Sequence, residues 1–591
     1  MRRHLGTKVG HPTLKKLAPK LALAPALLLS VGANAFDFEL DVLTGSWTTT
    51  VGYGVAWQTS ASDSRHIGIA NGGRAQSVNF DDGHVNFRNN NGTPITRAFT
   101  VDSALELNWG NLGMYASGRY LYDSRNDDKN LHPERDVRNE IGEKAELLDA
   151  YVSYLFELPN RSLALRVGSQ RLNWGEAKTL THGVLELNPL NASRFRKPGA
   201  DLREVIEPIP MIFGSLDLTD NLALDAFYQL DWRRTEPDPA GAFFSSNDFA
   251  AIGGQFIVAA GGGTIGEPET YGEPTAGQPG GPPADEPADA VVVPRAGDRN
   301  PDDDGQWGAK LSYYAAQLNG TEFGLYVANY HSRRPLYSGI STVGGSIPTG
   351  RYFSEYPEDI ELAGISFNTQ GPWGLAVSGE FTYRRGLPLQ VDDVELLLPA
   401  LGITSQASAF PGEGQYIQGF RRFNYTQYAL NFIKSLNHEN LFAADSMVML
   451  LELGAAHVHN MPSQDELRLS GPGTYCRGGS ESTAAGLCLS NKGFPTASAW
   501  GYRFAMSWQY NNVFSWLNVK PKMLWVHDVN GTTPDPLVLF VEHRRQITVG
   551  AEFELPKGVT VELGYTDYFG GAQQNTLNDR DLFTASAQYT F

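Results

Sequence analysis

The sequence predicts an all-β protein, a transmembrane antiparallel β-barrel of about 18 strands (about 16–18) with long external loops. Three observations predict it. The chain opens on a basic segment followed by a short apolar run. The remainder alternates apolar with small or polar residues at period two, as a strand buried on one face requires. Very short turns join the strands inside each predicted pair, and every long connection falls between pairs.

The leader comes first. Arg2, Arg3, Lys8, Lys15, Lys16 and Lys20 make a basic start, Leu21–Val31 is apolar, and Ala33-Asn34-Ala35 has the small residues of a cleavage site. Such a segment directs export and is removed, and its apolar run is too short to cross a bilayer. Residues 1–35 are read as a signal peptide and residues 36–591 as one barrel domain. The leader's six positive charges, once removed, take the net charge from −18 to −24. That balance argues against a nucleic-acid partner, which calls for a basic patch. Two cysteines are too few for a disulfide scaffold or a cysteine-rich metal centre. No later run of 18 apolar residues occurs, which leaves a soluble exported protein or an outer-membrane barrel.

The strands decide between those two. Trp47, Thr49, Val51, Tyr53, Val55 and Trp57 share one face, while Ser46, Thr48, Thr50, Gly52, Gly54, Ala56 and Gln58 share the other. A soluble sheet gives the same alternation in any one strand. Repetition carries the case. Residues 97–109 and 112–123 meet at Gly110-Asn111, residues 306–318 and 321–333 at Asn319-Gly320, and residues 146–157 and 162–172 at Pro159-Asn160. Further pairs are 209–218 with 222–232, 358–369 with 373–386, 420–436 with 441–458, 498–511 with 515–528, and 540–555 with 558–570. Membrane barrels sort their loops by length in this way, and sandwiches do not. The first strand is 45–58 and the last 579–591, where Phe583, Ala585, Ala587, Tyr589 and Phe591 share a face and the chain ends on an aromatic residue. An even strand count places both termini on the periplasmic side.

The connections follow. Residues 233–305 hold eight prolines and nine glycines between Gly261 and Pro301, a composition that predicts a mobile external loop. Asp302-Asp303-Asp304 lacks the ligand spacing of a calcium loop and reads as solvated acid. Cys476 and Cys488 lie in an exported loop, where two thiols twelve positions apart are expected to pair as a disulfide. Two segments are too rich in specific residues for idle loops. Residues 173–208 carry Trp174, Glu176, Arg194 and Arg196 with a short helix expected over 201–207, and residues 387–401 include Leu396, Leu397 and Leu398. Apolar residues exposed in water are a liability unless buried or bound to something. Each segment therefore either enters the barrel as a constriction or binding surface, or packs on neighbouring external loops.

Charges on predicted strands cannot face lipid, where Arg or Lys costs about 2–4 kcal/mol at midplane. Arg119, Asp149, Arg166, Gln170, Lys310, Glu322, Glu380, Arg384, Arg503, Lys520, Lys522, Arg544 and Glu552 are thus assigned to the lumen. They form a filter, a network that anchors a plug, or mutually paired charges that stiffen the wall. No catalytic constellation stands out. The chain has neither a G-x-S-x-G elbow nor an H-E-x-x-H pair, and His457 and His459 share a strand face as a solvated rim pair rather than a metal site. No enzyme, cofactor or metal is expected.

Particular strings resemble an uncharacterised outer-membrane family catalogued as domain of unknown function thirteen hundred and two. They are RLNWGEA (171–177), NPLNASRFRKPGADLREVIEP (188–208), SGEFTYRRGLPLQ (378–390), AWGYRFAMSWQYNNVF (499–514), WVHDVNGTTPDP (525–536), FVEHRRQITVG (540–550) and the closing DRDLFTASAQYTF. LLELGAAHVHN (450–460) departs from the pattern. The resemblance implies an outer-membrane barrel that works with a periplasmic protein of lipoprotein-carrier-like fold and an inner-membrane pump of the resistance-nodulation-division class. It also implies traffic of hydrophobic or amphipathic molecules, lipid- or steroid-like. A general diffusion porin and a surface-interaction barrel are the competing expectations.

Overall fold

The computed structural model describes residues 36–88, 92–199, 205–259, 264–266, 291–472 and 493–591. The segment 1–35 expected to be a signal peptide, Cys476 with Cys488, and residues 201–204 of the expected short helix lie outside the described residues.

Eighteen antiparallel strands close into a barrel. In chain order they are β1 (Leu43–Gln58), β2 (Thr96–Trp109), β3 (Leu112–Asp123), β4 (Glu143–Leu158), β5 (Arg161–Gln170) and β6 (Ile209–Thr219). Then come β7 (Leu222–Gln229), β8 (Trp307–Ala315), β9 (Thr321–Tyr330), β10 (Ile360–Gln370), β11 (Leu375–Gln390) and β12 (Phe420–Leu436). The last six are β13 (Ser446–His459), β14 (Ser498–Val513), β15 (Leu517–Asn530), β16 (Arg544–Leu555), β17 (Val559–Gly570) and β18 (Leu582–Thr590). Each strand pairs with its neighbour in sequence, and β18 closes on β1 from Thr50↔Thr590 to Gln58↔Leu582. Among the described residues no helix is long and apolar enough to cross a membrane.

The apolar face points outward. On β9, Leu325 is 54% and Val327 49% exposed, whereas Tyr326 between them is 3% exposed. A soluble sheet would show the reverse, so this is the inside-out partition of a lipid-facing wall. Exposed aromatic rings sit toward both strand ends: Tyr228, Trp307 and Trp500 near the long loops, and Tyr154, Phe156 and Tyr589 near the short turns. The first and last described strands meet on one edge. Phe591 exchanges backbone hydrogen bonds of 2.7 and 2.9 Å with Thr49, and the strand Phe36–Leu40 pairs with Leu43–Trp47 just beyond it.

Strand limits differ from the sequence expectation where polar and apolar character disagree. Residues 540–543 belong to a loop, because Phe540 is fully buried among apolar loop residues and the ladder starts at Arg544. Residues 387–401 divide. Leu387–Gln390 finish β11 after a bulge at 385–386, and Asp393–Ala400 form a helix capped by the Asp392 carboxylate. The described parts of 233–305 are packed rather than loose. Phe256–Val258 pair with Val292–Pro294, and Phe249 packs edge-on against Tyr337 and Tyr352, while most of the Gly/Pro-rich stretch read as mobile lies outside the described residues.

Candidate functional site

In the connection from β5 to β6, the described residues 171–199 cross the inside of the barrel as a strap. Irregular backbone in such a place must find partners for its N–H and C=O groups. Two inward carboxylates supply them on one wall. Glu380 of β11 accepts the N–H of Glu176 at Oε2 and of Val184 at Oε1, both at 2.8 Å. Glu452 of β13 accepts the N–H of Lys178 at 2.7 Å and of Thr179 at 2.9 Å, and the Thr179 hydroxyl as well. Asn431 donates to the Glu176 carbonyl at 2.9 Å, Gln427 to that of Thr181 at 2.8 Å, and Gln229 to that of Leu187 at 3.1 Å. Arg384 donates to the carbonyls of His182 and Gly183.

Glycine permits this approach. A Cβ on Gly183 would stand 2.1 Å from Glu380 Oε1, and one on Gly175 (φ +92) 2.4 Å from Oε2. Between the anchors, Trp174, Leu180, Val184 and Leu187 are buried in one cluster with Phe227, Tyr326, Tyr425 and Phe540. His182 lies in this strap, bonded to Glu186 at 3.0 Å. Burial and the Arg334 guanidinium push its pKa down to about 4. Burial alone would raise Glu186, but Arg334 and His182 hold its carboxyl below the usual range.

On the opposite wall the strap meets β1, β3 and β18. Gln588 donates to the Gly199 carbonyl at 2.7 Å, and the Lys197 ammonium bonds Asp123 at 2.9 Å. Arg194 pairs with Glu146 at 2.5 Å and with Glu207 at 2.9 Å. Beside this contact lies a narrow cleft whose charged lining includes Asp102, Arg119, Lys144, Glu146, Arg194 and Lys197.

The remaining residues singled out in the sequence are distributed around the wall. Arg119 pairs with Asp102 at 2.5 Å, Lys310 with Glu322 at 3.7 Å, and Lys520 with Glu552 at 3.0 Å. Lys522 pairs with Glu562 at 2.6 Å and Arg544 with Asp528 at 2.7 Å. Asp149 pairs with Arg171 of the strap, and Gln170 donates to the Met211 carbonyl. Arg166 lies 4.5 Å over the Phe213 ring, and Arg503 sits opposite Glu452 in register and 5.7 Å from the Phe540 ring centroid. Trp174 meets Phe227 edge-on at 5.2 Å, Asn368 donates to Glu176 at 3.3 Å, and Arg196 lies 4.2 Å over Phe244. Leu396, Leu397 and Leu398 lie on the helix Asp393–Ala400 among the external loops, half-buried, with Leu397 against the cluster of Phe249 and Tyr352. His457 bonds Ser498 and His459 bonds Thr426.

Sequence reasoning passed over Glu452, Asn431 and Gln427. The available signal was a single acid inside an apolar strand, Leu450-Leu451-Glu452-Leu453, at an inward position.

No curated protein matches the chain. Among solved structures, OccAB1 of Acinetobacter baumannii is 10% identical with a TM-score of 0.40, the match covering 95% of this chain and 99% of that one. A BenF-like porin from Pseudomonas fluorescens Pf-5 is 10% identical with a TM-score of 0.41, over 93% and 98%. Pseudomonas aeruginosa OpdK with vanillate is 9% identical with a TM-score of 0.38, over 93% and 98%. Residues 16–591 match the model of the family described as protein of unknown function, DUF1302, and the chain belongs to that family.

Proposed function

We propose that this barrel is an outer-membrane channel whose permeability is set by the strap, and that it passes hydrophobic or amphipathic molecules of lipid- or steroid-like class. The observation that carries the reading is the strap's attachment to both walls, through Glu380 and Glu452 on one side and Gln588 and Asp123 on the other. A barrel of about 18 strands encloses a lumen wide enough for water, so a strap across it restricts what passes. The charges of the residual cleft share it with Leu121 and Pro198, so an ionisable head and an apolar body both find contacts there. The family resemblance adds the proposed partners, a periplasmic lipoprotein-carrier-like protein and a resistance-nodulation-division pump.

Single-channel recording in a planar bilayer tests the constriction. The expected result is a small conductance with infrequent larger openings. A large, steady, ion-selective conductance overturns it and favours the second reading, a diffusion porin for small polar solutes, which the charged lining of the cleft supports. Cargo is tested separately, by extracting purified protein for co-purified apolar molecules. Absence of such molecules from the purified protein, together with no protein-dependent passage of steroid-like probes out of loaded liposomes, removes the hydrophobic-cargo reading.

A further inference from the structure

Three carboxylates meet in the external cap, far along the chain from the strap. Asp81 and Asp82 belong to the loop between β1 and β2, and Asp248 to the loop between β7 and β8. One oxygen from each lies within 4.8 Å of the others. Asp81 and Asp248 are 1% and 8% exposed. The bonds of two of these carboxylates share a pattern. Asp81 Oδ2 accepts the Gly68 N–H at 2.6 Å and the Asn71 amide at 3.0 Å, while its Oδ1 is buried and meets no hydrogen-bond donor. Asp248 Oδ2 accepts the Asp82 N–H at 3.1 Å, while its Oδ1 is likewise buried and unmet. Each carboxylate is held in place by one oxygen and offers the other.

A buried acceptor without a donor costs free energy, and two beside a third carboxylate cost more through mutual repulsion. Either protons or a cation must offset the charge. We propose that Asp81, Asp82 and Asp248 form a calcium site that fastens the first external loop to the fourth. The donor set is all oxygen, which suits a hard cation and not zinc. Two oxygens on opposite sides of an ion with bonds of about 2.4 Å stand about 4.8 Å apart, so oxygens no farther apart than that can share one calcium ion.

The surrounding structure already joins the two loops at this point. Asn79 donates to the Val258 carbonyl at 3.1 Å and accepts the Val258 N–H at 2.8 Å, and the Asp248 N–H reaches the Asn79 carbonyl at 3.1 Å. The backbone is therefore aligned whether or not the ion is bound, so the carboxylates need not be gathered by it. This inference stands apart from the channel reading and survives its failure.

The test uses the full chain refolded in detergent free of lipopolysaccharide, titrated with calcium chloride by calorimetry. One calcium per chain is expected, with a Kd of about 10⁻⁴–10⁻³ M or tighter, as for extracellular calcium modules. Asp248→Asn is expected to weaken it at least about tenfold, and calcium is expected to slow hydrogen exchange at Gly68, Asp82 and Val258 in the wild type only. Asp302→Asn with Asp303→Asn, which remove a second acidic run, should leave the tight site intact. No stoichiometric binding, or binding that survives both Asp81→Asn and Asp248→Asn, overturns the proposal. So does an Asn variant that is more stable than the wild type with calcium present, the result protonated carboxylates would give.

Discussion

Replacing Glu380 and Glu452 together by glutamine should free the strap while leaving the barrel standing. The two carboxylates accept four backbone N–H groups of the strap, from Glu176, Val184, Lys178 and Thr179. Glutamine keeps one accepting oxygen and turns an amide nitrogen toward the other N–H. Each substitution thus forfeits one charge-assisted hydrogen bond, worth about 1.5–3 kcal/mol. Both together remove about 3–6 kcal/mol from the local stability of the strap, with coupling between anchors on one segment shifting the sum. At 1.4 kcal/mol per tenfold, the opened strap becomes about 10²–10⁴ times more populated. The strand ladders of β11 and β13 use backbone groups only and are untouched. Hydrogen exchange at residues 176–184 should quicken by that factor, and larger conductance steps should become frequent, with the barrel's thermal transition unchanged. Wild-type exchange and conductance in the double variant would refute the reasoning and mean that the apolar cluster around Leu180 and Val184 holds the strap alone.

Three other outcomes are expected. Gly183→Ala should reproduce the single loss of Glu380, because its Cβ would stand 2.1 Å from Oε1 and displace the carboxylate from the Val184 N–H; exchange at Val184 reads this directly, and an unchanged rate counts against it. Arg194→Ala should widen the cleft and move ion selectivity toward cations, since it leaves Glu146 and Glu207 without that guanidinium; reversal potentials across a salt gradient measure the shift. His132, 1% exposed in the loop between β3 and β4, has its pKa pushed down to about 4 by burial and then by Arg125, with Arg138 and Lys197 acting the same way against Asp123. The unfolded chain takes up that proton near pH 6.5, so this contribution is complete above pH 6.5, shrinks as pH falls, and is lost below about 4. At pH 5 the deficit is about 2 kcal/mol; the loop should exchange faster at pH 5 than at 7.5, and His132→Gln should flatten the difference.

The barrel was legible in the sequence because lipid imposes one rule on every strand. Leu325 and Val327 must face out and Tyr326 in, and the same parity repeats through β1 to β18 until chance is excluded. The strap was half legible. The composition of 173–208 marked it as more than a loop, but which wall it meets depends on carboxylates nearly 200 or more positions away, and one glutamate in an apolar strand carries no period. Leu396–Leu398 drew attention by apolar character alone, yet three leucines on a short helix say nothing about whether loops or a ligand will cover them. In the structure the Asp392 cap and the Arg468–Glu395 pair at 2.8 Å fix that helix within the external cap.

The pattern of anchors also bears on how a molecule would pass. A plug that swings aside needs a joint, a few residues held by little. Residues 172–187 offer none, since Leu172, Glu176, Lys178, Thr179, Thr181, His182, Gly183, Val184 and Leu187 all have backbone groups bonded to side chains of the strap or wall. Ejecting the strap would leave those groups unmet and expose the apolar cluster around Trp174 at the same moment, a cost well beyond a few kcal/mol. The cheaper change is at the other wall, where Arg194, Lys197 and Lys144 are partly buried side chains that can exchange among Glu140, Glu146, Glu207 and Asp123 without moving the backbone. Passage through the cleft by re-pairing of these charges therefore costs less than passage by removal of the strap. On this argument Arg194→Ala alters transport more than any single anchor substitution on the Glu380 side, and the reverse ranking would place the route through the strap itself.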